Sequence, residues 1–213
     1  MGSIDRIISD WHLLKHPFYQ RWQAGQVPKS VLRTYATQYY AYESALPSFL
    51  EAALSHLDGG PARDAIEENL RDEAGGPEPH LELWLRFAEG LGLERDEVLE
   101  AQPLPRTRNL VETYAALCDR GADEALGAIY AYEAQFSEVA AAKADGLRQH
   151  YDLTDERALA FFDLHATIDD WHATALRSAL HESEPGVESV HLAVEAWWGM
   201  LDQFESLAAS TPK

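Results

Sequence analysis

Residues 28–57 run PKSVLRTYATQYYAYESALPSFLEAALSHL. Turned at 100° per residue, Val31, Leu32, Tyr35, Tyr39, Tyr42, Leu46, Phe49 and Leu50 gather on one side. That spacing is a helix with a buried stripe, whereas a half-buried strand would need strict alternation. Pro28 suits a helix start and Pro47 predicts a kink. Asp58-Gly59-Gly60-Pro61 ends the segment.

The same period extends in both directions. Residues 3–15 predict a short helix that stops before His16-Pro17, because a residue preceding proline is driven out of the helical region. Downstream, helices are expected over 62–74, 79–91, from about 106, 122–150, 155–182 with Thr154 as N-cap, and 187–209 after Pro185-Gly186. No Asn-Gly or Asp-Gly hairpin turn separates alternating runs. The expectation is an all-α, single-domain bundle of seven to eight helices spanning residues 1–213.

Composition excludes several function classes. Seventeen Lys plus Arg against 36 Asp plus Glu give a net charge of −19, which repels phosphate backbones and anionic membranes. Nucleic acid and membrane are therefore not expected as partners; a homodimer is left open. No run approaches a transmembrane length, and Met1-Gly2-Ser3-Ile4-Asp5-Arg6 has no apolar leader core, so a soluble, cytoplasmic protein is expected. The lone Cys118 excludes an internal disulfide and any multi-cysteine zinc site. Lysine is scarce, at positions 15, 29, 143 and 213 against 13 Arg, which draws attention to Lys143 inside a helical segment.

The strongest chemical pattern is His165-Ala-Thr-Ile-Asp169-Asp-Trp-His172. Positions i, i+4 and i+7 fall within an arc of about 60° on one helix face. Phe161, Phe162, Leu164, Ile168, Leu176 and Leu180 flank them. Three titratable side chains on an inward face are costly unless paired, and a metal ion pairs them; two histidines bonded to Asp169 and backbone would do so as well. Glu73 ends one helical segment and His80 begins the next, with Gly75-Gly76-Pro77 letting both turn toward one point. Glu133 lies among Ile129, Tyr130, Ala131, Tyr132 and Ala134. Taken singly, these residues also read as a helix end, a first-turn histidine and an edge position. Together, Glu73, His80, Glu133, His165, Asp169 and His172 supply three histidines and three carboxylates, an inventory suited to two Fe or Mn ions. Glu188-Ser-Val-His191 matches the Glu-x-x-His spacing once, at a helix start, and reads as a solvated first turn.

With His16-Pro-Phe-Tyr19-Gln-Arg-Trp22 and Tyr35-Ala-Thr-Gln-Tyr-Tyr40, these residues occur in an order that resembles the haem-oxygenase-like di-metal oxidases. Among them, the sequence resembles the CADD-type 4-aminobenzoate synthases, from about residue 10 to 205. The resemblance implies a bundle with a TenA-like fold that uses O2 and an external reductant at two metals. It also implies that such an enzyme converts one of its own tyrosines, here Tyr19, into the benzoate ring for folate biosynthesis. Lys143 is then the amino donor, and Tyr132 is implicated beside it. Pro17 departs from the threonine of the chlamydial motif but leaves Tyr19 in register. The related thiaminases need a cysteine shortly before the helix glutamate, where this chain has Gly127-Ala128-Ile129. Cys118 reads instead as a packed thiol. Two alternatives stay open: a di-metal oxidase acting on an external small molecule, and a non-catalytic interaction protein. Metal identity, reductant and repair of the consumed residue are not legible.

Overall fold

Helical periodicity becomes eleven α-helices in the computed structural model, which describes residues 2–75, 79–167 and 171–211. They are α1 (Ser3–Asp10), α2 (Pro17–Gln23), α3 (Lys29–Leu54), α4 (Pro61–Gly75), α5 (His80–Gly90) and α6 (Arg95–Leu99). Then follow α7 (Pro105–Arg120), α8 (Ala122–His150), α9 (Glu156–Thr167), α10 (Trp171–Ala179) and α11 (Glu184–Ser210). No strand occurs among the described residues. None of their helices is long and apolar enough to cross a membrane.

The count exceeds the expected seven to eight for local reasons. The helix expected over 3–15 ends at Asp10, where the Trp11 N–H closes on the Ile7 carbonyl. His12 then turns extended and its side chain accepts from Leu14 N–H, opening a 3₁₀ turn at Leu13–Lys15. His16 is extended before Pro17, as expected, but Pro17 starts a further helix. The five-residue α6 is held by Glu97, whose carboxylate accepts from Glu94 N–H. Within the span expected as one helix over 155–182, α9 and α10 are described on either side of residues 168–170, which lie outside the described residues. The long α3 runs through Pro47 without interruption.

Helices α3, α8 and α11 carry the centre of the bundle. α8 packs on α11, α9, α7, α10 and α2, while α3 packs on α7, α4 and α5. Their inner faces are heavily aromatic: Tyr39 stacks on Trp84 at 4.4 Å, and Tyr132 lies nearly parallel to Trp197 at 5.3 Å. Such pairs add about 0.5–1.5 kcal/mol each beyond the burial of their area. Close approach of α2 to α8 depends on Gly146, where a Cβ would meet Trp22 Cδ1 at 2.7 Å. Trp22 fixes that contact by donating its indole N–H to the Lys143 carbonyl at 3.1 Å.

Candidate functional site

Two adjoining polar regions interrupt this apolar interior. The first collects donors from α4, α5 and α9. One ligand atom from each of Glu73, His80 and His165 lies within 4.8 Å of the others, and all three residues are buried. His80 Nδ1–H donates to Glu73 Oε1 at 2.8 Å, leaving Glu73 Oε2 buried with no hydrogen-bond partner. His165 Nδ1–H donates to the Phe161 carbonyl at 2.6 Å. That bond fixes the tautomer and leaves Nε2 as a lone pair facing the cluster, the usual arrangement of a metal-binding imidazole.

Glu133 and His172 line the same cavity, together with Asn69, Asp72 and Tyr132. Glu133 Oε1 accepts from the Asn69 amide at 2.7 Å. His172 Nε2 is buried without a hydrogen bond, and Glu68 Oε2 stands 3.8 Å from it. The structure thus brings five of the six expected ligand-type residues to one cavity; Asp169 lies outside the described residues. Glu188 is exposed and His191 pairs with Glu195 at 3.6 Å, so that Glu-x-x-His match is a solvated turn. Cys118 is a buried free thiol, pushed up to about 12 by burial.

Electrostatics suit a cation. Burial drives the His165 imidazole down to about 3, so it is neutral and ready to ligate. Burial lowers His172 too. At His80 the same burial is outweighed by the hydrogen bond and charge of Glu73, which raise it. Glu133 is crowded by protein, although the cavity opens onto it, and burial pushes its carboxyl up to about 7. A divalent ion would reverse these costs, supply the missing partner of Glu73 Oε2 and His172 Nε2, and match the mixed N/O donor set. The residues present therefore fit a metal.

The second region is a closed cage beside the first, and Tyr132 belongs to both. Tyr19 and Tyr35 hydroxyls share a 2.7 Å hydrogen bond. Tyr132 donates to Glu43 Oε1 at 2.9 Å, which makes Tyr39 the donor in the 2.7 Å contact between the Tyr39 and Tyr132 hydroxyls. Lys143 enters from α8, 1 % exposed, with its Nζ 5.1 Å from the Tyr19 ring centre and 4.4 Å from that of Tyr39. That Nζ has no hydrogen-bond partner. Burial pulls the amine down to about 7, against an opposing pull from Glu43. Lys143 thus lies beside the Tyr19 ring, while Tyr132 reaches this cage through the Tyr39 hydroxyl. His16 positions the segment before Tyr19: Phe18 N–H donates to its Nδ1 at 3.1 Å, and its Nε2 faces Asp202 at 3.2 Å.

Sequence reading missed Glu43, Tyr35 and Tyr39 as site residues. They stand at i, i+4 and i+8 on the inward face of α3. A carboxylate in an apolar stripe is the signal that singled out Glu133, and Glu43 carries it equally.

Comparisons with known proteins show the family and the fold. Residues 33–204 match the model of a family described as iron-containing redox enzymes. A protein of Chlamydia pneumoniae named 4-aminobenzoate synthase is 36 % identical over 208 residues, covering 94 % of this chain and 92 % of its own. A protein of the same name from Nitrosomonas europaea is 33 % identical, covering 94 % and 88 %. Among solved structures, a CADD-like protein of unknown function from Nostoc punctiforme superposes with a TM-score of 0.78 at 21 % identity, over 97 % of this chain and 96 % of that one.

Proposed function

The chain belongs to the iron-containing redox enzymes, and we propose that it is an O2-dependent di-metal oxidase that makes 4-aminobenzoate, taking the ring from its own Tyr19 and the nitrogen from Lys143. Glu73, His80, Glu133, His165 and His172, with Asp169, would hold two transition ions, Fe/Fe or Mn/Fe. When bound, those ions would supply the activation of O2 that oxidation of a phenol ring requires. The relatives named for this product, similar over nearly the whole chain, support the reading.

One observation carries it: a lysine amine with no hydrogen-bond partner lies 5.1 Å from the ring of a fully enclosed tyrosine, beside the donor cluster. Tyr35 orients that tyrosine through its hydroxyl. The cage shields the amine from water, and burial pulls it down to about 7, toward the deprotonated form in which nitrogen has a lone pair to share. Tyr132 links the two regions and can pass a proton to Glu43 along an existing hydrogen bond. The cavity itself measures about 40 Å³, well below the ~150 Å³ that admits benzene elsewhere. Little room remains for an external aromatic beside two ions, which favours a substrate that is part of the protein, in the cage adjoining the cavity.

The test is oxygen exposure of anaerobically purified protein loaded with Fe(II), or with Fe and Mn, plus a chemical reductant. The expected result is at most one 4-aminobenzoate per chain and a mass loss in the peptide carrying Tyr19. Product from Tyr19→Phe at the wild-type level would sink the self-consuming reaction. Many turnovers that require an added compound would replace it with the external-substrate reading.

A further inference from the structure

We propose that Glu68 is a further metal ligand of the donor cavity: with His172 it holds the outer of the two ions, at the solvent edge of the site. The proposal rests on the reading of the cavity as a two-ion site, and its ground is a distance. Glu68 Oε2 stands 3.8 Å from His172 Nε2, and that nitrogen is buried with no hydrogen-bond partner. The gap is too long for a hydrogen bond, which would close to about 2.7–3.2 Å if a proton lay between the two atoms. It suits two donors of one ion. With bonds of about 2.1 Å, donors on a shared ion lie from about 3.0 Å apart at a right angle to about 4.2 Å apart when opposed.

Local structure brings the two together. Helix α4 turns Asn69, Asp72 and Glu73 toward the cavity, and Glu68 lies one helical turn before Asp72 on the same side. α10 packs across α4 and presents His172, which is 8 % exposed. Among the described residues, Glu68 has no hydrogen bond or ion pair other than this approach to His172. Its neighbour Glu67 is different: Arg63 closes on it at 2.8 Å. Two adjacent glutamates on one helix thus part company, one neutralised by an arginine and the other aimed at an unsatisfied imidazole nitrogen.

The two ion positions are therefore unequal. Glu73, His80 and His165 are all buried, with donor atoms within 4.8 Å of one another, and form an inner set enclosed by protein. On the outer side the Glu68 side chain is 44 % exposed, so water reaches an ion held there. A neutral imidazole brings no charge to a divalent cation, whereas a carboxylate does. The outer ion is the weaker bound of the two and depends on Glu68.

The experiment counts ions on full-length protein stripped by a chelator. Mn(II) is titrated in without oxygen, and the unbound ion is read by electron paramagnetic resonance. Wild type is expected to take up two ions per chain, the second more weakly. Glu68→Ala is expected to leave the first uptake unchanged and to weaken the second by tenfold or more. Glu68→Gln, which keeps a neutral oxygen, should fall between Glu68→Ala and wild type. Glu67→Ala removes an equal charge from the adjacent position and should alter neither step, which separates ligation from the general field of an acidic face. Thermal melts of the metal-free variants, expected to match wild type, check that the fold is kept. Two ions bound with wild-type affinity in Glu68→Ala, or an equal weakening in Glu67→Ala, overturns the proposal and leaves Glu68 a surface charge. Wild type that binds fewer than two ions fails the two-ion reading itself, and is seen before any variant is compared. Since no turnover is involved, these outcomes stand apart from any failure to form 4-aminobenzoate.

Discussion

The donor cavity and the tyrosine cage share Tyr132 and a wall of aromatic rings, yet they solve opposite problems. In the cavity, Glu73 Oε2 and His172 Nε2 are buried and unsatisfied, while His165 Nε2 is kept as a lone pair by the bond from its Nδ1 to the Phe161 carbonyl. Such a region is incomplete until a cation arrives. In the cage, the Tyr19, Tyr35, Tyr39 and Tyr132 hydroxyls satisfy one another or Glu43, and Lys143 Nζ is left over. In that region the hydroxyls are satisfied and only the lysine amine is without a partner. On the proposed reaction, the contrast separates residues that would hold a ligand from residues that would themselves be the reactants.

Removing a cavity donor should have the largest effect. His165→Ala or Glu73→Ala is expected to abolish product and to lower metal affinity by at least about 100-fold, the upper end of what losing a mere supporting partner costs, read by elemental analysis and product assay on the same sample. In Lys143→Met, product should vanish while bound metal stays at the wild-type ratio. Equal metal loss in both variants would erase the distinction between the two regions.

Metal should also stabilise the fold through the cavity alone. At about 100 times the dissociation constant, binding adds roughly 2.7 kcal/mol, a rise in Tm of about 5–10 °C for a chain of this size. Thermal melts with and without Mn(II) or anaerobic Fe(II) should show the rise in wild type and Lys143→Met, and its absence in His80→Ala. A rise that survives in His80→Ala would place the ion elsewhere.

A smaller effect comes from the seam that holds Tyr19 against Lys143. Gly146→Ala sets a methyl against the Trp22 indole, whose ring edge lies 2.7 Å from the new Cβ position. The cost expected of overpacking is about 1–3 kcal/mol. Because α2 must shift to relieve it, product formation should fall while metal binding is unchanged. A variant with reduced metal and intact product would show that α2 supports the cavity rather than the cage.

Legibility in the sequence followed the same division of the molecule. Long helices such as α8, expected over 122–150 and found at Ala122–His150, announce themselves through many turns of apolar period. The short α2 and α6 offer too few residues for any period, and their ends depend on single bonds such as Glu97 to Glu94 N–H. The cavity was legible because histidines and carboxylates stand out in apolar surroundings, although Asp169 lies outside the described residues. Glu43 was passed over because its meaning comes from Tyr132, 89 positions along the chain. Tyr35 and Tyr39 looked like core because, by burial, they are core; the Tyr19 hydroxyl and the lysine amine make them something more.

The smallest expected effect tests how the cage is tethered to the surface. His16 is 1 % exposed; burial lowers its imidazole, and Asp202 partly offsets that. The neutral ring accepts from Phe18 N–H at Nδ1, so protonation there would cancel the N-cap of α2 two residues before Tyr19. A histidine lowered in the folded state binds fewer protons than in the unfolded one. Its contribution to stability is therefore complete above about pH 6.5 and is lost as pH falls from there toward the folded value. His16→Asn keeps a side-chain oxygen for the cap and cannot titrate. Melts between pH 5 and 8 should show wild type losing about 1 kcal/mol more than His16→Asn on acidification, the scale of a helix N-cap. The histidines common to both proteins cancel in that difference, so parallel profiles would mean that α2, and with it Tyr19, is held by Trp22 packing rather than by its cap.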